Sequence, residues 1–190
     1  MPCYNMEQYI SDSIMSVRQQ TYPHWELLIV DDASTDGTEA VIESHCQQDD
    51  RIHFTKKNIH SGIADSRNMC LKIAQGQYLV FLDADDIWQP KKLERQLAFM
   101  TEKGIGFSYS SYDCIDEEGN PLDKQVKAAG DLNHDDYLHN TIIGCSAVMI
   151  DTDIIGEVVV PNFRTSEDTA TWLNILRKGH LAYAIDTPLT

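Results

Sequence analysis

Two short apolar runs in this chain each lead straight into carboxylates. Leu27-Leu28-Ile29-Val30 is followed by Asp31-Asp32, and Tyr78-Leu79-Val80-Phe81-Leu82 by Asp83-Ala84-Asp85-Asp86. An unbroken apolar run of this length reads as a strand buried on both faces, as in a parallel sheet covered by helices. The intervening segments read as those helices. Asn5 is placed to cap a helix running to about Gln20, with Ile10, Ile14 and Val17 on one face. Ser34-Thr35-Asp36-Gly37-Thr38 is turn and cap chemistry ahead of a helix near Glu39–Cys46, and Arg51–Thr55 reads as a further strand. Ser61-Gly62 opens a helix carrying Ala64, Met69, Leu71 and Ile73 that Gly76 closes, and Pro90 sits in the first turn of another that Gly104 stops after Lys103. Alternating strand and helix imply an α/β fold with a mostly parallel sheet. In such sheets ligands bind beyond the carboxyl ends of the strands, where both acid clusters fall.

The second half is less regular. Gly106–Asp113 and Gly144–Ile150 read as strands, Glu117–Pro121 as a hairpin turn and Lys127–Asp136 as a polar loop. Thr165-Ser166-Glu167-Asp168 precedes a helix with Trp172, Ile175 and Leu176 that ends at Gly179. No repeat and no linker divides the 190 residues, a length suited to one domain with one sizeable core.

A net charge of −15 argues against a nucleic-acid partner or an anionic lipid surface bound through a basic face. An anionic ligand would therefore need a metal or a local arginine. The five cysteines, Cys3, Cys46, Cys70, Cys114 and Cys145, are scattered without a paired spacing and read as reduced, mostly core-filling thiols. The seven histidines show no zinc-binding spacing, and none is assigned to a site. No leader and no run long enough to span a bilayer is apparent, so the expected location is cytoplasmic.

Four constellations carry chemistry. In Asp83-Ala84-Asp85, two carboxylates one residue apart past a strand can reach one hard cation, Mg2+ or Mn2+, that keeps positions open for phosphate oxygens. The competing reading is a polar turn with a helix cap. Asp31 and Asp32 can accept hydrogen bonds from a base N–H or ribose hydroxyls, with Ser34 completing the pocket, while Asp36 and Thr38 read as turn and cap residues. Arg67 either meets a phosphate or the base region or makes a surface salt bridge. At the Ser166-Glu167-Asp168 helix start, acids are expected from the helix dipole alone, but one facing the donor could deprotonate an acceptor hydroxyl.

Taken together, Met1-Pro2-Cys3-Tyr4-Asn5 with Glu7 and Tyr9, Val30 through Thr38, Gly62 with Arg67-Asn68, Asp83-Ala84-Asp85-Asp86 with Pro90, and Glu167-Asp168 with Trp172 resemble family-2 glycosyltransferases of the GT-A fold. The resemblance covers nearly the whole chain. It implies a Rossmann-like three-layer αβα sandwich. It also implies inverting transfer from a nucleoside diphosphate sugar, usually a UDP-sugar, with Mn2+ or Mg2+ as cofactor. Carried over, Pro2, Tyr4 and Glu7 would line the nucleotide pocket, with Asp31, Asp32 and Ser34 at the base. Arg67 would lie near the base and diphosphate. Asp83 would contact ribose or metal, with Ala84 beside the nucleotide, and Asp85 would ligate the metal. Asp168 would be the general base.

Residues 1–103 are then expected to form the nucleotide half and 104–190 the acceptor and catalytic-base half of one domain. Relatives of this kind commonly carry a first strand ahead of the Met-Pro stretch and further segments after the last strand, so the chain is expected to be trimmed at both ends. The implied partners are the donor and a glycan or lipid-linked acceptor. Peripheral attachment at the inner membrane face would come through segments outside this chain.

Three other classes are weighed against this. A receiver domain phosphorylated on Asp83 would not have a strand-helix unit before its acidic pair. A nucleotidyltransferase would need a basic glycine-rich loop where Pro2–Met6 stands. An inactive sugar-binding module would not be expected to retain Asp85 and Asp168.

Overall fold

The computed structural model describes all of residues 1–190. Its elements follow the expected alternation: β1 (Pro2–Cys3), α1 (Ile10–Arg18), β2 (Leu27–Asp31), α2 (Thr38–Cys46), β3 (Ile52–Lys56), α3 (Ile63–Ile73), β4 (Tyr78–Val80) and α4 (Lys92–Lys103). Then come β5 (Phe107–Ile115), β6 (Pro121–Val126), α5 (His134–His139), a 3-10 turn at Cys145–Ala147, β7 (Val148–Asp151), α6 (Thr152–Ile155), α7 (Glu167–Leu176) and β8 (Tyr183–Pro188).

β1, β2 and β3 pair in parallel, with Cys3 opposite Asp31 and Asp31 opposite Lys56. This register sets the ends of β1 and β2 level and places the Asp31-Asp32 corner on the rim. The second half adds a mixed sheet. β7 lies between β4 and β5, antiparallel to both, β6 continues antiparallel from β5, and β8 joins β5 in parallel. The parallel pairing expected from the first half is thus extended by antiparallel strands, because hairpin-type returns such as β5–β6 need no crossover helix.

Between the two sheets, β2 and β4 face each other without hydrogen bonding. β2 meets β1 only at Val30 and Asp31, and β4 pairs only on its far edge, with β7. The gap is an apolar cavity of about 600 Å³ lined by Leu28, Cys70, Leu71, Leu79, Phe81 and Met149 among others. The Met1 amino group donates to the Leu28 carbonyl at 2.8 Å at its mouth.

Two expectations shift in detail. Asn5 does not cap α1, which starts at Ile10. Asn5 adopts φ 53° and its side chain instead accepts from the Thr35 N–H at 2.9 Å. The polar stretch after β6 is not wholly irregular, because Asn133 accepts from the Asp135 and Asp136 N–H groups and starts the short α5. Gly104 stops α4 in the left-handed conformation, φ 62°, as the sequence implies. All five cysteines are free.

A candidate donor and acceptor site at the strand ends

The rim is assembled by two loops laced together. From the loop after β1, the N–H groups of Asn5, Met6 and Glu7 donate to Ser34 Oγ, Thr38 Oγ1 and Asp36 Oδ2. In return, the Thr35 and Gly37 N–H groups donate to Asn5 and Glu7. A Cβ on Gly37 would collide with the Glu7 carboxylate, so a larger residue there would push that side chain off its hydrogen bond. Glu7, expected to line the nucleotide pocket, is thereby committed to holding the loop. Pro2 is buried beneath, and Tyr4 lies exposed on the rim. Asp31 is fully buried and receives the Ser34 N–H and hydroxyl, so it shapes the corner from within.

Asp32 organises the loop between β3 and α3. Its Oδ1 accepts from the Ser61 N–H at 3.0 Å and from Lys57 Nζ at 2.6 Å, and its Oδ2 accepts from the Gly62 N–H at 2.7 Å. Gly62 is at φ 98°, a conformation that favours glycine at this helix entry. Lys57 is further held by Asp65 at 2.7 Å. Burial works to raise the Asp32 pKa, but the Lys57, Ser61 and Gly62 hydrogen bonds outweigh it, and the net shift is downward. His60, exposed and lying over Tyr4, also reaches Asp32. The sequence assigned no histidine here, and nothing in histidine spacing marks it. The signal available was Lys56-Lys57 just ahead of Ser61-Gly62 in a strongly acidic chain.

Arg67 joins three motifs. Its side chain is 4 % exposed, with Nη2 donating to Asp83 Oδ1 and Nη1 to Glu167 Oε1. The salt bridge is buried rather than superficial, which neither sequence reading anticipated. Burial opposes the guanidinium charge, yet the surrounding negative groups, Asp83 and Glu167 among them, push its pKa upward. The next residue, Asn68, clamps the chain before α7 by donating to the Val160 carbonyl at 2.8 Å and accepting from its N–H at 2.9 Å. Trp172 of α7 packs edge-on against Phe81, with centroids 5.3 Å apart. Together these contacts fix the start of α7 beside the acidic loop.

The acidic loop is set by Ser146, which the sequence did not single out. Its Oγ accepts from the Asp83 N–H at 3.0 Å, and its carbonyl accepts from Trp88 Nε1 at 3.0 Å. Ala84 is buried, its carbonyl accepting from Ser13 Oγ at 2.9 Å, so it contributes backbone shape. The Asp86 pKa is pushed up to about 6 by burial, with the Asp83 and Asp85 charges adding to the rise and Ser146 opposing it. Asp85 is exposed, and of the three acids it alone is held by no partner. No group of three or more His, Cys, Asp or Glu side chains converges on one point. A free carboxylate beside one whose Oδ1 is taken by Arg67 suits a cation that draws its other ligands from water and phosphate. At α7, Glu167 is buried against Arg67, while the half-buried Asp168 accepts only from the adjacent Thr169 N–H at 2.7 Å.

Acids at the end of β2 in the parallel sheet and of β4 in the mixed one, with a further carboxylate at the start of α7, are the architecture of a GT-A glycosyltransferase. The family model described as Glycosyl transferase family 2 matches residues 1–158, and the chain belongs to that family. It is 48 % identical over 185 residues to the putative teichuronic acid biosynthesis glycosyltransferase TuaG of Bacillus subtilis, covering 97 % of this chain and 73 % of that one. It is 37 % identical over 182 residues to WfgD of Escherichia coli, a UDP-Glc:alpha-D-GlcNAc-diphosphoundecaprenol beta-1,3-glucosyltransferase, covering 96 % and 70 %.

Among solved structures, Staphylococcus aureus TarS in complex with UDP superposes with a TM-score of 0.81 at 20 % identity, over 99 % of this chain and 57 % of that one. The mannosyltransferase PcManGT of Pyrobaculum calidifontis, with GDP-Man and Mn2+, gives 0.70 at 19 % over 98 % and 53 %. The chain thus spans just over half of these two structures. The receiver and nucleotidyltransferase readings fall with the family assignment.

Proposed function

We propose that this chain moves a sugar from a nucleoside diphosphate sugar, a UDP-sugar in the simplest case, to an acceptor hydroxyl with inversion. The observation that carries this is Arg67, whose two Nη atoms hold the Asp83 loop and the α7 helix start together. Residues 1–103 then serve the donor and 104–190 the acceptor. Tyr4, with the Asp32 and Ser34 corner, would face the nucleoside, and the buried Pro2 and Asp31 would hold that corner from beneath. Glu7 would keep that corner's shape without touching the ligand.

Asp85, with the second oxygen of Asp83 and the Ala84 backbone beside it, would hold a divalent cation. When bound, Mn2+ or Mg2+ supplies the positive charge that favours diphosphate departure. Asp168 is the proposed base. Glu167 is spent on Arg67, which leaves Asp168 as the carboxylate of the pair with capacity to accept a proton. It would take the acceptor's proton as that oxygen bonds to the anomeric carbon. The sugar–phosphate bond breaks on the opposite face, so the configuration inverts.

TarS bound to UDP and to UDP-GlcNAc, and PcManGT bound to GDP-Man with Mn2+, support the donor class and the cation. WfgD, named for a diphosphoundecaprenol acceptor, supports a lipid-linked one. An acceptor of that kind would bring the enzyme to a membrane face. No helix here is long and apolar enough to cross a membrane. Calorimetric titration with UDP and Mn2+ is expected to show binding that EDTA removes and that Asp85→Asn loses. Binding unchanged in EDTA would take the cation out of this reading.

A further inference from the structure

The His60 imidazole lies over the Tyr4 ring with centroids 4.2 Å apart and planes inclined by 39°. Its Nδ1 stands 2.8 Å from Asp32 Oδ2 and 3.2 Å from the Asp32 carbonyl oxygen. Both are acceptors, so Nδ1 carries the hydrogen. A flat heterocycle is therefore stacked on Tyr4 with its ring N–H directed at the Asp32 oxygens. These are the two contacts that a nucleobase at this strand end would need, one face on an aromatic ring and one ring N–H on a carboxylate.

The remaining partners of Asp32 are not exchangeable in the same way. Two are backbone N–H groups of the α3 entry, and the third, Lys57, is 10 % exposed and tied to Asp65. His60 is 55 % exposed and hangs from a loop on a stem of two torsions. It is the one partner of Asp32 that can leave without unfolding its surroundings.

We infer that His60 occupies the nucleobase subsite of the free enzyme and has to be displaced by the base, which must then satisfy the same Asp32 oxygens. The inference rests on the donor reading above and extends it to the choice of nucleotide. A base replaces both contacts only if it carries a ring N–H on its pairing edge. Uracil has one at N3 and guanine at N1. Cytosine and adenine present a ring nitrogen lone pair there, which meets the Asp32 oxygens with repulsion. Uridine and guanosine diphosphates should outbind cytidine and adenosine diphosphates, with part of the binding energy spent on moving His60 out.

The test is calorimetry with UDP and with CDP, each with Mn2+, on the wild-type chain and on His60→Ala. The substituted side chain is exposed on a loop, so the fold is kept. UDP is expected to bind His60→Ala roughly three- to tenfold more tightly, the weight of a displaced exposed contact, and CDP is expected to stay weak on both. In wild type, the His60 imidazole NMR signals should move on saturation with UDP to those of a solvent-exposed ring. UDP binding that is unchanged or weakened in His60→Ala overturns the inference while leaving the donor reading intact, since His60 would then be a contact and not an occupant. Failure of UDP to bind either protein removes both.

Discussion

A guanidinium buried between two carboxylates is stable only while both remain in place. Arg67 meets that condition through Asp83 and Glu167, and removing either partner from such a site costs about 3–5 kcal/mol. The same arrangement sorts the acids by task. Asp83 and Glu167 each commit an oxygen to Arg67, which leaves Asp85 and Asp168 without a basic partner, as the proposed cation and base roles need. Asp168→Asn is therefore expected to reduce sugar transfer by at least about a thousandfold, in line with loss of an acid–base group, while UDP affinity stays near wild type. Substantial transfer by that variant would refute the assignment of the base. At this scale the acids were legible because each follows a strand or opens a helix. The partners that aim them were not. Ser146 looks like any serine until the chain folds, and Glu167 was read only as half of a pair.

The elements were legible where hydrophobic period and punctuation agree, as for β2, α4 and the Gly104 stop. They were less so where a side chain has two uses. Asn5 has the chemistry of a helix cap, but across the rim it finds the Thr35 N–H, and the tertiary contact wins over the local one. The mixed order of the second sheet was also hidden, since sequence shows strands but not their neighbours.

For the molecule as a whole, stability should depend on pH through a residue outside the rim. Lys92 is fully buried, with Nζ donating to Gln96 Oε1 at 2.9 Å and lying 5.4 Å from the Trp88 ring. Burial lowers its pKa from 10.5 to about 7, against an opposing pull from Asp86. Between those two values the unfolded chain binds a proton that the folded one does not, so folding is favoured as pH rises through that window, by at most about 1.4 kcal/mol per pH unit. Denaturant midpoints for wild type should climb from pH 7 towards 10, and Lys92→Met should flatten that climb. A slope retained in Lys92→Met would assign the effect to another group.

Because one guanidinium is shared between the Asp83 loop and α7, donor and acceptor would, on the proposed assignment, not be independent ligands. An acceptor at Asp168 that shifted the start of α7 would change what Arg67 offers Asp83, and a donor that drew on Asp83 would change what it offers Glu167. Thermodynamic linkage requires the two effects to be the same factor: however much the acceptor alters affinity for the nucleotide, the nucleotide alters affinity for the acceptor. Order of binding in this enzyme would then be a property of one side chain's loyalties, written into the free energy of the fold before either substrate arrives.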